Sequence, residues 1–191
     1  VGAAGQNAMD QGIDNAEFHA MPGEEVASLP GEFNLVTYGS ALHWMDTPRA
    51  LAASGSKLAL DGGVAVLGMR SIWGGESDWE RVVVSVVQKW LGQDRRAGSG
   101  TFDKEGVRHE VALANAGFDI FDSGDVEASY ALDVDFILGH LYTTSYCSRE
   151  LLGDRVSQFE KDIRRELYRV DTGGTYRWSP GANYIFARKR D

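Results

Sequence analysis

His43 and Trp44 put an imidazole able to take a proton directly beside a large flat ring. They fall just past Phe33-Asn34-Leu35-Val36-Thr37-Tyr38, a run so continuously apolar that it reads as a strand buried on both faces of a parallel sheet. Ligands of open α/β sheets bind outside the carboxyl ends of such strands, so the pair stands where chemistry is done. The competing reading makes Trp44 core packing and His43 a hydrogen-bonded turn residue. Tyr38, Gly39 and Ser40 close the same strand, and Gly39 also reads simply as a turn glycine. Trp73, His140, Tyr142 and Tyr146 are further aromatic or titratable candidates, although aromatic residues on helices usually pack into a core. Cys147 is the sole cysteine. It reads as a small buried hydrophobe, since a nucleophile needs a base that the sequence does not place. No CxxC or HExxH spacing occurs, so no metal is expected. Glu24-Glu25 and Arg188-Lys189-Arg190 read as solvated surface.

The elements that must position these residues alternate. Ala4, Ala8 and Met9 predict a narrow helix that stops at Gly12. Ala16 to Ala20 reads as a short strand, Met21-Pro22-Gly23 breaks the chain, and Glu24 to Leu29 suits a helical turn. After the Phe33–Tyr38 strand, Asp46 or Thr47 can cap a helix with Pro48 in its first turn, carrying Leu51 and Leu58 and ending near Leu60. Asp61-Gly62-Gly63 turns the chain into a Val64–Leu67 strand. This is a βαβ unit with parallel strands.

Trp79, Val82, Val83, Val86, Val87 and Trp90 then mark one apolar helix face. Asp94 to Gly100 reads as a charged, mobile loop. Val107 to Ala116 reads as a helix closed by Gly117. Phe118 to Phe121 opens the last third, and Val126 to Leu132 alternates like a half-exposed antiparallel strand. Asp133 or Asp135 caps a helix, and Ser148 caps another whose stripe is Val156, Phe159, Ile163 and Leu167, with Glu160 and Arg164 as an i,i+4 pair. Ser179-Pro180-Gly181 predicts a hairpin between Thr175–Trp178 and Asn183–Ala187.

Composition narrows the function. The chain has 191 residues, 43% hydrophobic and 25% charged, enough for one globular domain with its own core. A net charge of −9 repels phosphate backbones, so nucleic acid is not an expected partner. No run of about 18 apolar residues predicts a membrane span. The first dozen residues lack the basic and apolar parts of a signal peptide, and with one cysteine the economical location is cytoplasmic.

Two stretches carry a resemblance. Phe33 through Asp46, followed by the Pro48 helix and Asp61-Gly62-Gly63-Val64, resembles the fourth strand, helix and fifth strand of class I S-adenosylmethionine (SAM) dependent methyltransferases. Asp135-Phe136-Ile137-Leu138-Gly139, Thr144-Ser145-Tyr146 and Gly153-Asp154-Arg155 resemble the helical cap of that family's trans-aconitate methyltransferase-like branch. Ala187-Arg188-Lys189-Arg190 resembles its last strand. The resemblance implies an α/β, Rossmann-like methyltransferase fold: a parallel sheet with antiparallel C-terminal strands and a helical cap at 133–170, within a single domain over 1–191. It implies methyl transfer to the oxygen or nitrogen of a small molecule. It places Met21 and Gly23 near the adenine and Tyr38, Gly39 and Ser40 near the amino-acid end of SAM. His43 becomes the proton acceptor or an orienting group, and Trp44, Trp73, His140, Tyr142 and Tyr146 the acceptor pocket.

The sequence also departs from that pattern. Asn34 replaces a usual Asp and Asp61 a frequent Pro. The acidic-Gly-x-Gly-x-Gly turn that lets backbone approach the cofactor does not occur, nor does the acidic residue that ends the second strand. The expectation is a fold without its first strands, in which SAM binding by this chain alone is weak or absent. Three outcomes follow: the sequence is a fragment of a longer enzyme, the strand ending at Ala20 re-pairs directly with Phe33–Tyr38, or a second chain supplies the edge, as in a homodimer. The alternative function is a methyltransferase-like protein that has lost SAM and acts as a cyclase, an isomerase or a non-catalytic partner subunit.

Overall fold

A computed structural model describes residues 1–97, 100–101 and 108–190. The chain divides into two compact units. One holds Val1–Val66, Val107–Asp122 and Ile185–Asp191, and the other Leu67–Gly106 and Ser123–Tyr184.

The first unit opens with helix α1 (Gly2–Asp10), which buries only Ala8. The expected strand at Ala16–Ala20 does not form. Residues 13–20 are exposed and have no ladder partner, and a strand without a neighbour leaves its backbone groups to water. A 3-10 turn at Gly23–Ser28 follows, as the Glu24–Leu29 reading anticipates. Strand β1 (Phe33–Gly39) leads to helix α2 (Thr47–Gly55), where the Asp46 carboxylate caps by accepting from the Arg49 N–H at 3.2 Å. The helix ends at Gly55 rather than near Leu60. Leu58 instead opens strand β2 (Leu58–Met69), longer than the four residues the apolar run suggested. The Phe33 N–H donates to the Lys57 carbonyl at 2.7 Å, so β1 and β2 start side by side and run parallel, joined by α2.

Helix α3 (Asp78–Leu91) follows, then the short antiparallel pair β3 (Arg96–Ala97) and β4 (Gly100–Thr101). The centre of the mobile loop expected at Asp94–Gly100 lies outside the described residues, as does the start of the helix expected from Val107. Helix α4 (His109–Asn115) is followed by Gly117 in a left-handed conformation (φ 83°). Strand β5 (Phe118–Val126) stops before strand β6 (Tyr130–Asp133), so the strand expected over Val126–Leu132 is broken. Asp133 caps helix α5 (Val134–Tyr142). Ser148 caps only the short α6 (Arg149–Leu152), and a 3-10 turn at Gly153–Arg155, entered through Gly153 at φ 55°, separates it from α7 (Val156–Val170), so the one long helix expected from Ser148 is divided. Strands β7 (Thr175–Trp178) and β8 (Ala182–Lys189) close the chain.

The hairpin expected from Ser179-Pro180-Gly181 is not one. β7 pairs antiparallel with β6, while β8 enters the main sheet, whose order is β1-β2-β8-β5. β8 runs antiparallel to β2, with Gly63 beside the Ala187 carbonyl and Gly68 beside Asn183. It also runs antiparallel to β5, with the Arg190 N–H donating to the Gly117 carbonyl at 2.8 Å. The arrangement is a mixed α/β sheet, parallel where α2 crosses over and antiparallel at its C-terminal strands.

In the first unit one face of the sheet is covered. Tyr38, Val64, Val66, Phe118, Ile185 and Ala187 pack with Ala50 and Leu51 of α2 and Leu113 of α4. On the opposite face Leu35 is 55% and Phe121 59% exposed. The two end strands differ in chemistry. β5 carries Asp119, Asp122 and Asp125, whereas β1 has no charged residue and no proline.

The second unit has its own core. Trp79, Val83, Val86 and Val87 of α3 meet Phe159, Ile163 and Leu167 of α7, together with Ile137, Leu138 and Leu141 of α5. Both apolar stripes read from the sequence are therefore buried. Lys89 and the Trp90 indole both donate to Asp162 Oδ2, at 2.9 and 3.1 Å, tying α3 to α7. Glu160 and Arg164 do not form the expected pair. Arg164 reaches Asp135 on α5, and Glu160 accepts from Tyr142, because both have partners across the bundle.

Candidate functional site

In the first unit the candidate residues follow the carboxyl end of β1. Gly39 faces open space, and a Cβ there would meet nothing within 4 Å. Ser40 is held at φ 49°, a left-handed conformation that costs a non-glycine residue and clusters at ligand sites. A 3-10 turn then carries Leu42–Trp44. Leu42 is buried, and its carbonyl accepts from the Thr47 hydroxyl at 3.3 Å, anchoring the turn to α2. This leaves His43 and Trp44 on the outside, their ring centroids 4.9 Å apart and Trp44 52% exposed.

Tyr38 takes a different place. Its side chain turns inward, where the hydroxyl bonds Ser54 Oγ and donates to the Ala50 carbonyl at 3.1 Å. Burial pushes the phenol above its usual pKa, against a lowering by the Ser54 bond. Only the Tyr38 backbone is left for a ligand. Met21 is half-buried. A Cβ on Gly23 would come within 2.7 Å of the Met45 thioether, so Met45 already fills the space beside that glycine. Glu24, read as surface, bridges two turns instead: its carboxylate accepts from the Asp46 N–H at 2.7 Å, and backbone hydrogen bonds hold its pKa down.

In the second unit the four expected pocket residues separate into three groups. Trp73 and Tyr146 meet edge to face, with centroids 5.1 Å apart. The Tyr146 hydroxyl lies 3.4 Å from Ser71 Oγ, and the Arg95 guanidinium stands 5.3 Å from the Tyr146 ring centroid. Burial raises the Tyr146 phenol and lowers Arg95. Tyr142 belongs elsewhere. Its hydroxyl donates to Glu160 at 2.8 Å and Arg149 covers its ring at 4.3 Å. Burial first, then the Glu160 bond, pushes that phenol far up. His140 packs on Trp178 at 5.2 Å, and burial lowers its pKa. Cys147 is fully buried, as the sequence suggested, and burial pushes its thiol up to about 12.

The meeting of Ser71 and Arg95 with Tyr146 is not legible in the sequence. Arg95 sits in a charged, glycine-bearing stretch that reads as solvent-facing, and only the fold brings it against Tyr146. Among the described residues no group of His, Cys, Asp and Glu is arranged to hold a metal ion, and no helix is long and apolar enough to cross a membrane.

No protein-family model and no curated protein matches the sequence. Solved structures do match. A putative type II methyltransferase from Anaeromyxobacter dehalogenans superposes with a TM-score of 0.54 at 16% identity, over 92% of this chain and 72% of that one. A putative methyltransferase from Bacillus halodurans gives 0.53 at 15%, over 100% and 78%. The [4+2]-cyclase SpnF gives 0.51 at 17%, over the whole of this chain but only 62% of its own. At such identities the likeness is one of fold: the mixed α/β sheet with its helices is the Rossmann-like fold of these methyltransferase neighbours.

Proposed function

We propose that the chain serves SAM-dependent methyl transfer to the oxygen or nitrogen of a small molecule, in the manner of the trans-aconitate methyltransferase-like branch. One observation carries the reading. At the carboxyl end of a parallel strand, Gly39 leaves open approach, Ser40 holds a strained backbone, and His43 and Trp44 stand exposed just beyond.

The fit to SAM is one-sided. Gly39 and the Ser40 backbone suit the amino-acid end of the cofactor. The nucleoside end finds no glycine cradle among the described residues, and Met45 occupies the space beside Gly23. Gly39, Ser40 and the Tyr38 backbone would hold one flank, and the other contacts must come from residues outside this set. SAM, when bound, supplies a methyl group already activated on a sulfonium. The chain's own task is then to orient the acceptor and remove its proton. His43 takes that proton at its imidazole, with Trp44 as a wall.

The same one-sided fit favours a second reading, a SAM-independent cyclase or isomerase or a non-catalytic partner subunit.

Calorimetric titration with SAM, run beside a methylation assay and an intact mass, separates these readings. Binding weaker than millimolar by a protein of the mass of these 191 residues is the expected result of the one-sided fit, and methyl transfer then needs contacts from outside these residues; absence of methylation in the assay favours the second reading. Each lost charged hydrogen bond costs about 1.5–3 kcal/mol, and each 1.4 kcal/mol is about tenfold. A micromolar constant would overturn the one-sided fit. Where turnover is seen, His43→Ala should lower it by about 10²–10⁴-fold with an unchanged melt, because His43 is exposed. Full turnover in that variant removes His43 from the mechanism.

A further inference from the structure

We propose that the outward face of the β6–β7 ribbon is a phosphoryl-group site, with Arg177 as its cation and the Ser129 and Thr175 hydroxyls as further donors. The site lies within the second unit and does not depend on methyl transfer.

The ribbon fixes the geometry. β6 and β7 pair with Ala131 opposite Arg177 and Leu132 opposite Tyr176. Side chains alternate along a strand, so Tyr176 and Trp178 enter the core while Thr175 and Arg177 face outward. The Trp79 indole donates to the Arg177 carbonyl at 3.0 Å, which pins the backbone of that residue to α3. On the outward side a groove of about 510 Å³ is lined by Ser129, Tyr130, Ala131, Thr175 and Arg177. That volume suits a small molecule, whose sites span about 300–1,000 Å³. The residue across from Arg177 is an alanine, so its methyl leaves room before the guanidinium.

The donors in this groove are uncommitted. Among the described residues the Arg177 guanidinium and the Ser129 and Thr175 hydroxyls make no hydrogen bond or ion pair. Other cations of the unit are paired: Lys89 and Arg165 with Asp162, Arg164 with Asp135 and Arg169 with Glu166. Asp133, paired with Thr175 in the ribbon, is held elsewhere, since its carboxylate accepts from the Phe136 N–H at 2.7 Å as the cap of α5. A guanidinium fork satisfies two oxygens, and the hydroxyls remain for a third. A phosphoryl group offers three terminal oxygens and a carboxylate two. In a chain of net charge −9 an anion is repelled at most surfaces, so an unpaired cation among hydroxyls marks where one can bind.

The test is titration of the full chain with inorganic phosphate, glycerol 3-phosphate, glycerol and acetate, without SAM, read by backbone amide NMR. Saturable shifts at Ala131, Thr175 and Arg177 are expected with both phosphoryl compounds, none with glycerol, and binding at least several-fold weaker with acetate. Tighter binding of glycerol 3-phosphate than of phosphate assigns the site to a phosphate monoester, and equal binding assigns it to free phosphate. Arg177→Gln should weaken both on the order of tenfold or more, with an unchanged melt because Arg177 is exposed. If that variant does not fold, Thr175→Val should weaken both several-fold. Failure of both phosphoryl compounds to saturate overturns the proposal. Equal binding of acetate or glycerol, or unchanged binding in the variants, does the same. A failed SAM titration or methylation assay bears only on the methyl-transfer reading, and a failed phosphate titration only on this one.

Discussion

Tyr38→Phe removes one hydroxyl from the covered face of the sheet, and its cost can be worked from the contacts. The Tyr38 hydroxyl bonds Ser54 Oγ and the Ala50 carbonyl, and all three residues are buried. Leaving a buried polar group unsatisfied costs about 1–3 kcal/mol. Ser54 lies four residues after Ala50 on α2, so without Tyr38 its hydroxyl can swing onto the Ala50 carbonyl. That rescue puts the loss near the lower end, about 1 kcal/mol, or a drop of roughly 2–4 °C in Tm for a chain of this size. Ser54→Ala should cost a similar amount. The double variant should cost clearly less than the sum, because each single change already breaks the shared bond. Urea unfolding of the four proteins measures the cycle. The pH dependence adds a check. The folded phenol has a raised pKa, so its contribution is complete below the ordinary tyrosine value of about 10 and is lost as pH rises through the folded one. Tyr38→Phe should flatten that alkaline limb. Additive single costs would falsify the bonded pair. A variant with unaltered stability and weakened ligand binding would move the hydroxyl to the ligand site.

Three further outcomes are expected. Val83→Asp puts a carboxylate into a fully buried face of α3, losing about 1.5–3 kcal/mol of burial and adding the cost of an unpaired charge; a wild-type melt for this variant would refute the packing. Native Cys147 should resist a thiol reagent at pH 8, since its thiol is pushed up to about 12, and react promptly once unfolded; equal rates in both states would contradict its burial. His140 is held below its ordinary pKa by burial, so the stability it contributes is present above about pH 6.5 and is lost as pH falls through the lower folded value. His140→Phe should flatten that acid limb in thermal melts, and an unchanged limb would assign the acid sensitivity to other groups.

Local pattern made much of the fold legible. The strand at Phe33–Tyr38, the Asp46 cap and the stripes of α3 and α7 are each set by residues a turn or two apart, and each formed. The burial of that strand on both faces did not: Leu35 is exposed, because the described elements cover one face of the sheet and leave the other to solvent. What was misread depends on partners distant in sequence. Ala16–Ala20 has strand composition but, among the described residues, no strand beside it. Thr175–Trp178 and Asn183–Ala187 look like a hairpin because they are close in the chain, yet the first pairs with β6 and the second lies between β2 and β5. The site shows the same division. His43 and Trp44 could be found from their position after a strand. The inward turn of Tyr38, the partnering of Tyr142 with Glu160 and the meeting of Arg95 with Tyr146 are tertiary facts that no spacing encodes.

The two ends of the main sheet differ as borders. Three aspartates lie along β5, whereas β1 carries seven uncharged residues and, among the described residues, pairs with β2 alone. A strand that added to this sheet, from the same chain or another, would meet negative charge at β5 and none at β1, so the border at β1 is the one more open to strand addition.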